Sequence, residues 1–218
     1  MSDTDGFIEE VSEELRRDRL FAAFRKYGWI GVLVVLVLVG GAGFREYRIA
    51  QARNVAESLG DQALSAIKLE TAEERVAALS NIEAEGTSGA VMALLVAASE
   101  LEADQPAKAA ELYQQVATTA DLPARYRDLA ALRRVIVLSD TQSAEERMIS
   151  LTPLAVPGAP YRVLAEEQIA LAEIEQGNTD AAIERLQALV NDQEATAGLR
   201  RRASDVIVAL GGTPSVAQ

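Results

Sequence analysis

Apolar and polar positions fall into three regimes along this chain. Over residues 1–26, Phe7, Val11 and Leu15 recur every four residues, with Phe21 and Phe24 further on, beside Glu9, Glu10, Glu13, Glu14, Arg16, Arg17 and Arg19. That spacing predicts an amphipathic helix. From Tyr27 to Phe44 the pattern changes: YGWIGVLVVLVLVGGAGF is eighteen residues without a charge. As a helix rising about 1.5 Å per residue it spans roughly 27 Å, close to a bilayer's hydrocarbon core. From Arg45 the helical period returns. Val55, Leu59 and Ala63 make one stripe of a long helix, and Thr71 with Glu74, then Ser143 with Glu146, have capping-box spacing that opens new helices. Gly86, Gly89, Pro106, Pro153, Pro157, Gly158, Pro160, Gly177, Gly211 and Gly212 punctuate the rest. No strand-like alternation flanked by hairpin signals is present.

The later helices repeat. The apolar pairs Leu79/Ile82, Tyr113/Val116, Met148/Leu151 and Leu186/Leu189 have first members 34, 35 and 38 residues apart, and Ala109, Ala144 and Ala182 stand four residues before the last three. Such a period, with a small residue at a fixed place, predicts stacked helix–turn–helix units. The expected helices are 90–103 with 106–119, 122–138 with 143–151 and 160–176 with 180–191, closed by a cap helix at 196–210. Ile169–Val190, with its Gln-Gly-Asn turn at 176–178, resembles the tetratricopeptide pattern. Two features depart from it: no large aromatic residue stands early in the first helices, and Arg75 occupies the small-residue place of the first unit. The predicted fold class is all-α, an N-terminal transmembrane helix followed by a degenerate tetratricopeptide-like array. The layout is 1–26 cytoplasmic amphipathic segment, 27–44 transmembrane helix, 45–70 linker helix, 71–211 repeats with cap, and 212–218 tail.

Tyr27, Trp29 and Phe44 mark the boundaries of the span, with aromatic rings at its start suited to the headgroup region. Arg16, Arg17, Arg19, Arg25 and Lys26 precede it, against Arg45, Arg48 and Arg53 after it, an excess that places the N-terminus in the cytoplasm and the rest across the membrane. A cleaved signal peptide fits less well, because 28 residues, seven of them acidic, precede the core at Trp29.

Composition narrows the chemistry. The 218 residues carry a net charge of −12 and contain neither histidine nor cysteine, so imidazole bases, thiolates, disulfides and the usual zinc sites are excluded. The acidic balance argues against nucleic acid. Paired carboxylates at 9–10, 13–14, 73–74, 145–146 and 166–167 point about 100° apart on a helix and read as solvated faces, as does the triplet Arg200, Arg201 and Arg202. No catalytic residue, cofactor site or metal site is expected. Function therefore rests on a surface: register puts Leu94 and Leu101, then Tyr126 and Arg133, then Glu167 and Leu171 on the inner wall of the array, the last four being the candidate partner-binding residues.

The whole layout, with stretches such as DRLFAAFRKYGWIGV at 18–32 and AKAAELYQQVA at 107–117, resembles the YfgM family of ancillary translocon subunits. The resemblance implies a bacterial inner-membrane protein with a periplasmic C-terminal domain. Its implied partners are SecYEG, a PpiD-like chaperone and exported polypeptides. A scaffold or regulator of another envelope complex fits the same anchor and array.

Overall fold

The computed structural model describes the backbone of residues 3–215, with side chains described at residue 25, 29–30, 33–34 and 36–215. Every regular element among them is helical. In chain order these are α1 (Asp3–Ile67), α2 (Ala72–Ser80), α3 (Gly86–Glu102), α4 (Pro106–Thr118), α5 (Ala124–Val137), α6 (Ala144–Leu151), α7 (Arg162–Glu175), α8 (Thr179–Asn191) and α9 (Ala197–Ala209). A single 3-10 turn, Thr152–Leu154, follows α6. The chain forms two compact units, residues 1–57 and 58–218.

The described part of the first unit is α1 alone. No proline precedes Pro106, and the glycines inside α1 each weaken a helix by only about 1 kcal/mol, so nothing in the sequence stops it. Amphipathic segment, apolar stretch and linker are thus one continuous helix backbone. Trp29, Leu36, Val37, Leu38, Val39 and Phe44 are each 64–66% exposed, on every side of the helix. A Cβ added at Gly40, Gly41 or Gly43 would meet nothing within 4 Å.

The described residues do not support a separate membrane-spanning helix at 27–44: among them no helix is long and apolar enough to cross a membrane. Of that stretch, the side chains of residues 27, 28, 31, 32 and 35 lie outside the described set, as do Phe7, Val11, Leu15, Phe21 and Phe24 of the amphipathic segment.

In the second unit, four apolar clusters lie in series along the chain. Ala63 and Ala66 at the end of α1 pack with Leu79 of α2 and with Met92 and Val96 of α3. Ala90 and Ala97 then meet Ala109, Tyr113 and Val116 of α4 and Ala130 of α5. Leu132 and Val135 meet Leu151, Leu154, Ala165 and Ile169. Ala170 closes against Leu186, Leu189 and Val190 of α8 and Leu199, Ala203 and Ile207 of α9. Each helix pair buries its apolar face on its neighbour, as a linear array requires, and α9 covers the last face. The 34–38-residue spacing lands on α2, α4, α6 and α8, where Leu79, Tyr113, Val116, Leu151, Leu186 and Leu189 are all at most 4% exposed.

The small-residue rule holds at Ala109 and Ala182, both fully buried, and fails at Ala144. Ala144 is the first residue of α6, with no preceding turn to press against a neighbour, and Arg147 is the buried residue there at 4% exposure. Boundaries also shift. α3 begins at Gly86, four residues before the expected start, and α5 begins only after Pro123.

The structure adds a longer repeat that the shorter period hides. Capping boxes at Thr71 and Ser143 open α2 and α6, with Glu74 N–H donating to Thr71 Oγ1 at 3.2 Å and Glu146 N–H to Ser143 Oγ at 3.3 Å. Arg75 and Arg147, each one residue past its box, pair with Glu102 and Glu175 at the ends of α3 and α7. Those two helices stop in the same way. Asp104 (φ 57°) and Gly177 (φ 79°) turn left-handed, and the next N–H, of Gln105 or Asn178, donates back to Glu100 O at 2.8 Å or Glu173 O at 2.9 Å. Ala97/Ala170, Ala109/Ala182, Tyr113/Leu186 and Ala130/Ala203 complete the match, so α2–α5 and α6–α9 are two copies of one layout, 72–73 residues apart.

Candidate protein-binding surface

Of the four wall residues expected from register, Tyr126 and Arg133 lie on α5, and Glu167 and Leu171 on α7. Tyr126 is half-buried against the α3–α4–α5 cluster, and the Arg125 guanidinium sits 4.8 Å from its ring centroid, within cation–π range. Arg133 is exposed. Burial pushes the Tyr113 hydroxyl above its ordinary value, and the Arg133 charge opposes that rise. Leu171 is 36% exposed.

Glu167 has a different role from the one register assigns. It is 9% exposed, and Arg202 of α9 holds it with Nε to Oε1 and Nη2 to Oε2, both 2.8 Å. A carboxylate already in a bidentate pair has little capacity left for a partner. Its neighbour Glu166 pairs with Arg185, which also donates to Glu173 from Nη2 at 2.8 Å. The 166–167 pair is therefore interhelical, not a solvated face, whereas Arg202 stays exposed with the rest of its triplet while reaching Glu167. Glu173, in turn, holds the Arg185 guanidinium above its ordinary value despite partial burial.

Two residues absent from the sequence expectation join the surface. Tyr161, just ahead of α7, has its hydroxyl raised chiefly by burial and further by Asp128 and Tyr126, while Arg125 opposes. Tyr161, Tyr126 and Arg125 thus share one electrostatic neighbourhood at the N-terminal ends of α5 and α7. A tyrosine immediately before a helix, in a chain only 5% aromatic, was the available signal. Trp29 and Phe44, expected at the span boundaries, are both 64% exposed, and the side chain of Tyr27 lies outside the described residues.

A groove of about 360 Å³ on α7–α8 is lined by Arg162, Glu166, Glu184, Arg185 and Asp192 among others. Of its charges, Arg162, Glu166, Arg185 and Asp192 are engaged internally, with Arg162 donating from Nη2 to Asp192 Oδ2 and Glu194 Oε2, both at 2.7 Å.

Antiparallel helix pairs stacked in series, with small residues at the closest approaches and a capping helix, define a helical-repeat protein. The tetratricopeptide repeat-like domain family matches residues 22–167, about two-thirds of the chain, and the chain belongs to that family. The matched stretch ends inside α7, although α8 and α9 continue the same packing. Domains of this kind are in general protein-binding scaffolds and not enzymes. Membership agrees at this coarse level with a YfgM-type layout. No curated protein and no solved structure matches the chain.

Proposed function

We propose that this chain is a membrane-anchored adaptor that holds polypeptide partners beside the protein-export translocon, with residues 27–44 as its single span. The N-terminus faces the cytoplasm and the repeat domain the periplasm. The observation that carries the reading is the joining of a protein-binding repeat array to eighteen residues without a charge. An apolar stretch exposed on every side of a helix calls for a lipid or protein environment, and arginines before and after it suit the two interfaces. YfgM-like subunits make SecYEG and a PpiD-like chaperone the partners of this reading.

The binding work falls to α5 and to α7 with Tyr161 just ahead of it. Tyr126 and Tyr161 offer amphipathic rings at low conformational cost and Arg133 offers a charge, residue types that anchor protein interfaces, while Leu171 adds apolar area beside them. The ion pairs around Arg185 and Arg202 hold α7 against α8 and α9.

Gentle detergent extraction of the tagged full-length protein, native separation and mass spectrometry test this reading. Co-recovery of translocon subunits and a PpiD-like chaperone is expected. A different stoichiometric envelope complex would replace the adaptor with a scaffold. Because the chain has no cysteine, single cysteines at Ser12 and Ser80 report topology by labelling with a membrane-impermeant maleimide, and labelling of both from the same side would remove the span.

A further inference from the structure

The arginines of the second unit divide into two populations. Arg75, Arg147, Arg162, Arg185, Arg201 and Arg202 are all in ion pairs. The four arginines of α5, Arg125, Arg127, Arg133 and Arg134, are in none, and outside α5 only Arg200 shares that state among the described residues of this unit. In a chain with 33 acidic against 21 basic residues, carboxylates are abundant, so four unpaired arginines on one fourteen-residue helix are a local excess of positive charge. Arg127 and Arg134, seven residues apart, share the opposite side of α5, and Arg134 lines a groove with Glu111 of α4. Arg125, Leu129, Arg133 and Ile136 follow each other at i, i+4, i+8 and i+11 and form a separate stripe beside Tyr126. In that stripe Arg125 and Arg133 are exposed, Ile136 is 38% exposed and Leu129 is half-buried.

Resting on the reading of this wall as a polypeptide-binding surface, we infer that its partner is an extended segment with the pattern acidic–x–apolar–x–acidic. The spacing sets the pattern. Arg125 and Arg133 are eight residues apart on a helix, roughly 12 Å along its axis. An extended chain at about 3.3 Å per residue covers that distance in four residues, and side chains at i, i+2 and i+4 point the same way. Two carboxylates at i and i+4 then meet the two guanidinium groups, and an apolar residue at i+2 meets Leu129 between them. The Arg125 guanidinium, resting over the Tyr126 ring, makes no hydrogen bond within the domain and keeps its N–H donors free for a carboxylate.

A continuous polyanion fits this stripe less well. Leu129 interrupts the positive charge and Ile136 ends it, at the spacing of an alternating peptide, and a chain of net charge −12 repels a nucleic acid or anionic bilayer extending beyond the stripe.

The test is fluorescence anisotropy on the full-length chain in non-ionic detergent with three labelled peptides: Glu-Ser-Leu-Ser-Glu, its Gln-Ser-Leu-Ser-Gln counterpart and its Lys-Ser-Leu-Ser-Lys counterpart. The glutamate peptide is expected to bind most tightly, to weaken as salt rises, and to lose roughly tenfold in affinity in Arg125→Ala/Arg133→Ala, with Arg200→Ala unchanged. Arg125→Gln/Arg133→Gln, which keeps much of the bulk and removes both charges, is expected to lose affinity for the glutamate peptide to a similar degree. It supplies the readout if the alanine variant does not fold, and the three peptides on the unmodified protein supply another.

Equal affinity for the glutamate and glutamine peptides overturns the inference. If Tyr126→Ala then abolishes both, the wall still binds polypeptide and only the acidic requirement falls. Failure of all three peptides overturns the inference, and partners recovered by detergent extraction but lost in Tyr126→Ala would show that the wall nevertheless binds polypeptide. Sedimentation with phosphatidylglycerol vesicles that is lost in the double-alanine variant, and that displaces the glutamate peptide, would reassign the arginines to a lipid surface.

Discussion

The two copies of the layout, α2–α5 and α6–α9, solve one packing problem with different chemistry. In the second copy the interfaces carry ions: Arg185 bridges Glu166 and Glu173, and Arg202 holds Glu167. At the corresponding places the first copy has Leu112 for Arg185, Ala93 for Glu166, Leu94 for Glu167 and Leu129 for Arg202. Leu94 and Leu112 pack against the core there. Of the three acids around Arg185 and Arg202, only Glu173 has an acidic counterpart. Glu173 has Arg185, whereas Glu100, 7% exposed, has only Lys108 Nζ at 3.9 Å. What the copies share is small side chains at the closest approaches and the signals at helix ends. The fold therefore tolerates either apolar or ionic contacts between those fixed points, provided that each buried charge finds its partner.

The comparison can be broken most strongly in the core. Leu186→Ala, at a fully buried site, is expected to cost about 3 kcal/mol. Hydrogen-exchange mass spectrometry, which reads the copies separately, should show protection lost first in α7–α9. Equal loss in α3–α5 would mean that the copies unfold as one cooperative unit.

Next comes the ionic chemistry. Arg185→Ala strands Glu173, 5% exposed, and is expected to destabilise α7–α8 by about 2–3 kcal/mol, more than Leu112→Ala destabilises the first copy. Urea unfolding of both variants decides the order. If the leucine variant is the weaker one, the apolar contact of the first copy holds its helices more strongly than the ionic one of the second.

Acid sharpens the contrast further. Burial acts to raise the Asp192 carboxyl, but its hydrogen bond from Arg162 prevails, with further help from the Glu194 N–H, and holds it below its ordinary value. Hydrogen bonds from the Ser143 backbone and hydroxyl lower Glu146. A carboxylate with a depressed folded-state value contributes stability that is present above its unfolded value and lost as pH falls through the folded one. Acidification below the ordinary carboxylate range should therefore loosen the second copy. Arg162→Ala together with Glu146→Gln, which removes the titrating carboxyl while keeping its shape, should flatten that dependence, and an unchanged acid-unfolding profile would remove the explanation.

The smallest effect is expected at the matched left-handed positions. Asp104→Gly should stabilise by about 0.5 kcal/mol, because glycine relieves the left-handed strain but gains freedom in the unfolded chain. Gly177→Asp should cost about 1 kcal/mol, so thermal midpoints that move in opposite directions are the expected result.

Much of the helical framework was legible because its signals are local. The boxes at Thr71 and Ser143 act within one turn, Pro106 starts α4, and buried apolar residues at Tyr113, Val116, Leu186 and Leu189 follow the helical period. The candidate surface was only half legible. Tyr126 and Arg133 were placed on α5 by register, but Glu167 was assigned to an open wall although its partner, Arg202, lies 35 residues away. The burial of Arg147 depends likewise on Glu175, 28 residues on. Neither pairing leaves a periodic trace, and the same acidic doublet reads as solvent-facing until the neighbouring helix is in place.

By itself, then, the sequence determined the helical class, the helix-end signals, the repeat and the uncharged stretch at 27–44, since each depends on contacts within a turn or on composition over a window. Only the tertiary structure decided which charges are consumed in holding helices together and which four arginines of α5 are left without a carboxylate. An ion pair between helices exists only where packing brings side chains within a few ångströms, and that distance is set by the whole stack.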